Sequence, residues 1–345
     1  ALLGREVHST PLVLNLTDDN GDGLIDTSDV PDIVAVMEST TSQLRGEIKA
    51  VSGDDGRILF TAGGPDLVSP WSEVAAGDID GDGVPEVVAV HADGNRLIAF
   101  EHTGEQKWLS ETAPLPVFFI GDNRLATGAV SIANLDASGP PEIIVGATVF
   151  DATGRLIGSG GGTTGGTGLR TAISTVADID LDGTPELVAG PTAYRLGAGG
   201  LTTVWQRTDR ADGFAAVANF DDDPQAEIAM VANGFVYLLN HDGSDAANWN
   251  RPSGGPVAIP GGGQGGPPLV ADVDGDGWPE IGVAGATGYV VFNRDGSVRW
   301  RSTISDRSSN STGSVAFDLD GDGSVEIIYR DEQYLRIYRG ADGFL

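Results

Sequence analysis

Carboxylates recur in this chain at a spacing that suits a hard cation. Asp78, Asp80 and Asp82 stand at alternate positions of a nine-residue segment, Gly83 follows at the sixth, and Glu86 closes it at the ninth. Alternate side chains of a tightly turned backbone project to one side, and glycine allows the bend that closes the loop. Calcium takes about six to eight oxygens, several of them from carboxylates. Asp78, Asp80, Asp82 and Glu86, with the carbonyl of Val84 at the seventh position, are therefore candidate calcium ligands. Three close copies follow: Asp178, Asp180, Asp182, Thr184 and Glu186; Asp272, Asp274, Asp276, Trp278 and Glu280; and Asp318, Asp320, Asp322, Ser324 and Glu326. Thr184, Trp278 and Ser324 stand at the seventh position, the counterpart of Val84. Two copies are eroded. Asn134, Asp136, Ser138 and Glu142 keep oxygens and lose charge, whereas Asn219, Asp221, Asp223 and Glu227 keep charge but have Pro224 in place of the glycine. A single acidic turn needs no ion. Four acid-complete copies in register argue for one, because crowded carboxylates repel each other unless a cation lies among them.

An expanded copy opens the series. After Asn15 come Asp18, Asn20 and Asp22 at alternate positions, Gly23 at the sixth, Leu24 at the seventh, Asp26 at the ninth and Asp29 at the twelfth. This is the spacing of an EF-hand-type loop, with an Asp where the twelfth position usually carries a longer Glu. Asp32, just beyond, is a further candidate ligand. The expected complement is roughly five to seven structural calcium ions.

The elements that must carry these loops are short strands. Each nine-residue copy follows a run of small residues and precedes an apolar run such as Val87–Val90 or Ile281–Val283. Between the copies lie apolar pairs joined by Asp-Gly, Thr-Gly or a related turn, which read as β-hairpins. These are Ile48 to Phe60, Leu97 to Trp108, Val149 to Ile157, Tyr194 to Trp205, Phe235 to Trp249 and Tyr289 to Trp300. A seventh, from Leu335, stops just past its turn. The acidic loops near 15–32, 78–86, 134–142, 178–186, 219–227, 272–280 and 318–326 thus mark seven repeats of one supersecondary unit. The expected fold is all-β: a single domain over residues 1–345, a seven-bladed β-propeller of four-stranded antiparallel blades. Ala1–Val7 has no partner of its own and is expected to supply the fourth strand of the last blade and close the ring. The alternative is that the natural chain continues past Leu345.

Composition narrows the function classes. The net charge of −30 opposes nucleic-acid binding. With no cysteine, disulfides, iron–sulfur clusters and thiol catalysis are absent. No apolar window is long enough for a membrane helix, and no signal peptide is visible. Weak calcium loops fill only where calcium is abundant, at roughly 10⁻⁴–10⁻³ M, so a secreted, surface or periplasmic location is expected.

These loops resemble the FG-GAP/VCBS repeat family, the calcium-loop propellers that include the integrin α-subunit head. The pattern DxDxDGxxD/E is met in full at 78–86, 178–186, 272–280 and 318–326. The resemblance implies seven blades with calcium between strands one and two. It also implies that the acidic loops share a face with the hairpins of strands three and four, while the loops between blades lie on the opposite face. The Gly-x-x-x-Trp segments Gly104–Trp108 and Gly296–Trp300 resemble the tryptophan-docking motif of quinoprotein dehydrogenase propellers. The vicinal cysteines of those enzymes are missing, so the tryptophans are expected to pack between blades.

Catalytic candidates are few. His8, His91, His102 and His241 fall in different repeats, Lys49 and Lys107 are the two lysines, and no nucleophile elbow, HExxH or phosphate loop occurs. No catalytic or organic-cofactor residue is assigned, and a binding function is the favoured reading: adhesion to, or recognition of, a carbohydrate or an extracellular protein. With the two longest loops between blades, 109–127 and 250–268, Trp71 and Phe118 could build a binding surface on the face away from calcium and are candidate stacking residues, and Arg124, Arg170 and Arg210 are candidate contacts for an anionic sugar. One alternative is a lyase acting on an acidic polysaccharide. Another is a spacer domain of a larger surface protein whose flanking domains do the work.

Overall fold

The computed structural model describes residues 6–40, 42, 44–64, 67–120, 123–126, 128–161, 164–166, 172–250, 254–307 and 312–345. Among them every regular element is a strand. No helix is long and apolar enough to cross a membrane.

Apart from one two-stranded hairpin, the described strands form seven consecutive antiparallel sheets whose order follows the chain. Sheet one comprises Leu12–Leu14, Asp32–Glu38, Gly46–Val51 and Ile58–Ala62; sheet two, Ala75–Gly77, Glu86–Val90, Leu97–Phe100 and Gln106–Leu109. Sheet three has Val130–Ala133, Glu142–Val145, Thr148–Phe150 and Leu156–Ser159; sheet four, Thr175–Ala177, Glu186–Ala189, Thr192–Gly197 and Gly200–Gln206. Sheet five has Phe214–Ala218, Glu227–Ala232, Phe235–Leu239 and Val257–Ala258; sheet six, Leu269–Ala271, Glu280–Ala284, Gly288–Phe292 and Val298–Thr303. Sheet seven has three strands, Ser314–Phe317, Glu326–Arg330 and Leu335–Arg339. This is the blade series of a seven-bladed β-propeller.

Second strands in sheets two to six are buried along their whole length. Packing on both faces favours apolar residues after the opening glutamate, which is why these strands read as short apolar runs. The chain packs as two compact units: residues 1–162, 168–173 and 196–202, and residues 163–167, 174–195 and 203–345. In the first, the core lies between sheets one and two, around Val36, Val87 and Phe100, and between sheets two and three, around Val88, Ile143 and Phe150. In the second, it lies between sheets four and five, five and six, and six and seven.

Tryptophan side chains lock sheet two to sheet three, four to five and six to seven. Trp108 of sheet two donates Nε1–H to the Ala152 carbonyl at 3.0 Å, in the hairpin turn of sheet three. Trp205 reaches the His241 carbonyl at 2.7 Å and Trp300 the Gly340 carbonyl at 2.6 Å in the same way. Each indole lies over a turn glycine. At Gly243, with φ +80°, an added Cβ would sit 2.7 Å from Trp205 Cδ2. Gly243→Ala therefore combines left-handed backbone with overpacking and should cost about 2–4 kcal/mol. Urea denaturation checks this, and a loss below about 0.5 kcal/mol would mean the ring does not need the glycine.

Three features depart from the sequence reading. The fourth strand of sheet five is Val257–Ala258, paired with Val236 and Phe235, rather than a strand ending at Trp249. Residues 240–256 separate the two partners. The loop after Leu109 holds its own hairpin, Val117–Ile120 with Asn123–Ala126. Most of the segment expected to close the ring, residues 1–5, lies outside the described residues. Of the remainder, the Glu6 carbonyl accepts the Glu38 amide of sheet one at 2.9 Å.

Candidate metal-binding loops

All seven acidic loops join the first strand of a sheet to its second. Their backbone is shaped by their own carboxylates. Asp78 Oδ1 accepts the Gly81 amide at 2.6 Å and Oδ2 the Gly83 amide at 2.9 Å, while Asp80 and Asp82 each accept the amide two residues on. The loops at Asp272 and Asp318 repeat the scheme. Such side-chain turns preform the loop without consuming every carboxylate lone pair. Gly83 has φ +91°, a conformation open to glycine and costly for other residues.

The acid at the ninth position does something its spacing did not reveal. It starts the second strand, is buried in loops two to six, and turns one oxygen back onto the amide of the loop's second residue. Glu86 holds Ile79 at 3.0 Å, Glu142 holds Leu135 at 2.7 Å and Glu186 holds Ile179 at 3.1 Å. Glu227, Glu280 and Glu326 hold Phe220, Val273 and Leu319 at 2.6, 3.0 and 3.0 Å. In the expanded loop Asp32 takes this part, accepting the Leu16 amide at 3.0 Å. Asp29, at the twelfth position there, directs both oxygens to amides of Asp19, Asn20 and Asp26.

Burial raises the carboxyls of Glu86, Glu142 and Glu186 above their ordinary value. Glu227 is pushed up to about 7 by burial and by the charges of Asp221 and Asp223, and Glu280 to about 7 by burial and Asp274. Several groups bring one carboxylate oxygen per residue within 4.8 Å of one another, among them Asp78, Asp80 and Glu86; Asp178, Asp180 and Glu186; Asp221, Asp223 and Glu227; and Asp272, Asp274 and Asp276. Several acidic clusters could thus hold a metal ion, and an all-oxygen donor set selects a hard one such as calcium. Glu227 supplies a direct test of fit: its Oε1 is buried without a hydrogen-bond partner.

Basic side chains also enter these loops. Lys107 Nζ lies 2.6 Å from Asp80, 3.1 Å from Glu86 and 3.0 Å from Glu101. Burial pulls this ammonium down, and the three carboxylate bonds outweigh it and push it up. Arg195 reaches Asp180 at 3.2 Å, Asp182 at 2.8 Å and Glu186 through Nε at 2.8 Å. Arg299 pairs with Asp274.

The eroded loop at Asn134 is closed by hydrogen bonds. Asn134 Nδ2 donates to the Gly139 carbonyl at 3.2 Å, and the Ser138 amide and hydroxyl both donate to Asp136 at 2.9 Å.

The candidate ligand contacts are scattered. Trp71 stacks on His8 with ring centroids 4.0 Å apart. Arg210 is engaged by Asp209 and by Asp245, the latter at 3.1 Å, with its guanidinium over Tyr237. Phe118 and Arg124 belong to the extra hairpin, with side chains outside the described set, and Arg170 lies outside the described residues. A depression of about 830 Å³ opens beside the acidic loops of sheets five and six, lined by Asp221, Asn248, Asn250, Asn293, Arg294 and Asp295 among others.

Residues 272–329 match the family of FG-GAP-like repeats. No curated protein sequence matches the chain. Among solved structures, the chain is similar to the V. cholerae biofilm matrix protein Bap1, with 19% identity and TM-score 0.76, covering 98% of this chain and 79% of that one. It is also similar to rhamnogalacturonan lyase YesW, with 16% identity and TM-score 0.58, covering 98% and 72%. A third is BBS1N, solved in complex with ARL6DN, with 11% identity and TM-score 0.54, covering 98% and 94%. The chain is an all-β protein with the sheet series of a seven-bladed propeller, and residues 272–329 within it match an FG-GAP-like repeat.

Proposed function

We propose that this chain is a calcium-stabilised β-propeller acting outside the cytosol as an adhesion or recognition module for a carbohydrate or protein ligand. The observation that carries the reading is the recurrence of one acid-bearing loop at the same strand junction in all seven sheets. The Ca²⁺ ions are structural in this account. Carboxylates of the acidic loops would hold them, with Asp221, Asp223 and Glu227 one such set, and the ions would supply charge neutralisation rather than chemistry. Calcium at extracellular concentration fits sites of this open, oxygen-rich kind. The likeness to a biofilm matrix protein is compatible with adhesion, and rigid blades carrying variable loops suit recognition. The depression beside sheets five and six, rich in Asn and Asp with Arg294 over Trp278 at 4.0 Å, is a suitable place for a polar ligand such as a sugar.

The likeness to a rhamnogalacturonan lyase keeps a second reading in play, elimination on an acidic polysaccharide. That chemistry needs a base and a cation at one cleft. His8 is paired with Glu38 and His91 with Asp93, and Arg210 is already bound to carboxylates. One experiment separates the readings: incubation with acidic and neutral polysaccharides in millimolar calcium, following retention and the ultraviolet absorbance of unsaturated uronate ends. Calcium-dependent retention with flat absorbance is expected. Rising absorbance would replace the binding module with a lyase, and no retention on any polymer would remove carbohydrate as the ligand.

A further inference from the structure

The acidic loops fall into two chemical classes that the acid pattern does not distinguish. In the loop at 178–186 a base from the same sheet already sits among the carboxylates. Arg195 meets Asp180, Asp182 and Glu186, three of the four side chains that loop offers to a cation. In the loop at 78–86, Lys107 bridges Asp80 and Glu86. A guanidinium is charged at any ordinary pH and its fork of donors matches carboxylates in fixed geometry. A divalent ion in such a loop would have to share oxygens with a fixed positive charge or displace it.

The loop at 219–227 is the reverse case. Its acid pattern is eroded, with Asn219 at the first position and Pro224 in place of the glycine. Yet no basic side chain reaches its carboxylates among the described residues. The pairing of Leu187 with Tyr194 in sheet four places Arg195 beside Glu186, and the pairing of Ile228 with Leu239 in sheet five places Asn240 beside Glu227. Asn240 is neutral and donates to Ser244. Glu227 is fully buried. One of its oxygens holds the Phe220 amide, and the other is buried with no partner, in a group with Asp221 and Asp223. A buried carboxylate oxygen without a donor is costly and is normally satisfied by a donor, a water or an ion.

We propose that Lys107 and Arg195 stand in for the cation in loops 78–86 and 178–186, and that loop 219–227, despite its weaker pattern, binds Ca²⁺ through Asp221, Asp223 and Glu227. The proposal rests on the calcium reading given above and divides its sites. In sheets two and four the propeller carries its own counter-charge, independent of the medium. In sheet five it depends on calcium.

The test is a count of bound calcium per chain by native mass spectrometry, with isothermal titration as a second readout, on the whole chain. Glu227→Gln should lose one ion, and Asp223→Asn, at an exposed position, should lose the same ion if the first variant folds poorly. Asp180→Asn should leave the count unchanged. Arg195→Gln should add one ion, or tighten one by at least tenfold. An ion lost from Asp180→Asn, a full complement in both Glu227→Gln and Asp223→Asn, or an unchanged count and affinity in Arg195→Gln would each overturn the proposal. A wild-type chain that binds no calcium would instead overturn the calcium reading on which it rests.

Discussion

Chelating calcium should lower the melting temperature by roughly 15 °C. A site whose Kd lies about 100-fold below the free calcium concentration adds about 2.7 kcal/mol to the folded state. Three such sites amount to about 8 kcal/mol, comparable with the whole stability of an ordinary domain, about 5–15 kcal/mol. At about 2 °C per kcal/mol for a chain of this size, the transition moves by the amount stated. The physical cause is local. Asp221, Asp223 and Glu227 bring oxygens within 4.8 Å of each other. Without an ion, their repulsion opposes the turn that the backbone hydrogen bonds favour. Calorimetry in excess chelator, then after calcium is restored, reads the effect. A transition that does not move would reject calcium as a structural element, whatever the loops look like.

Trp300→Ala should destabilise the protein by about 4 kcal/mol with calcium present. Truncating a buried tryptophan removes transfer energy and leaves a cavity, and such changes cost about 3–5 kcal/mol. Trp300 is 8% exposed and sits in the cluster formed with Tyr289, Tyr329 and Tyr338 between sheets six and seven. Its ring lies 5.8 Å from Tyr289 and 5.4 Å from Tyr338, and its indole N–H holds Gly340. Gly343 beneath it leaves room for the indole face. Trp300→Phe keeps part of the packing and should recover about half of the loss, without the hydrogen bond. The calcium count should not change in either variant, which separates packing from ion binding. A loss under about 1 kcal/mol in Trp300→Ala would mean that the last sheet is held mainly by something other than this docking.

The two predictions draw on different levels of the molecule. The loops were legible in the sequence because a turn is written in contiguous residues. Asp78, Asp80, Asp82 and Gly83 shape the same nine-residue segment whose spacing they display, through bonds spanning two to five residues. The seven-sheet series was legible for the same reason, since each hairpin carries its own turn residues and each second strand its own apolar run. Sheet five escaped because its fourth strand is two residues long and is separated from the third by residues 240–256. A strand that short has no periodicity to read.

What the sequence determined by itself is therefore the repeat, the strand junction at which each acidic loop falls, and the oxygen-rich chemistry of that loop. Tertiary structure alone decided how those oxygens are used. Lys107 lies 27 residues from Asp80, Arg195 lies 15 from Asp180, and Trp108 meets a carbonyl 44 residues further on. Such partners are chosen by strand register and by the stacking of one sheet on the next, and neither is encoded in the spacing of a single loop. The ninth-position glutamates show the same division. Their place in the pattern identifies an acid, but only the fold shows one oxygen holding the loop's own amide and, at Glu227, the other left buried without a donor. Hydrogen-bonding capacity is a property of residue type; which lone pairs remain for a cation depends on what the packed neighbours have already taken.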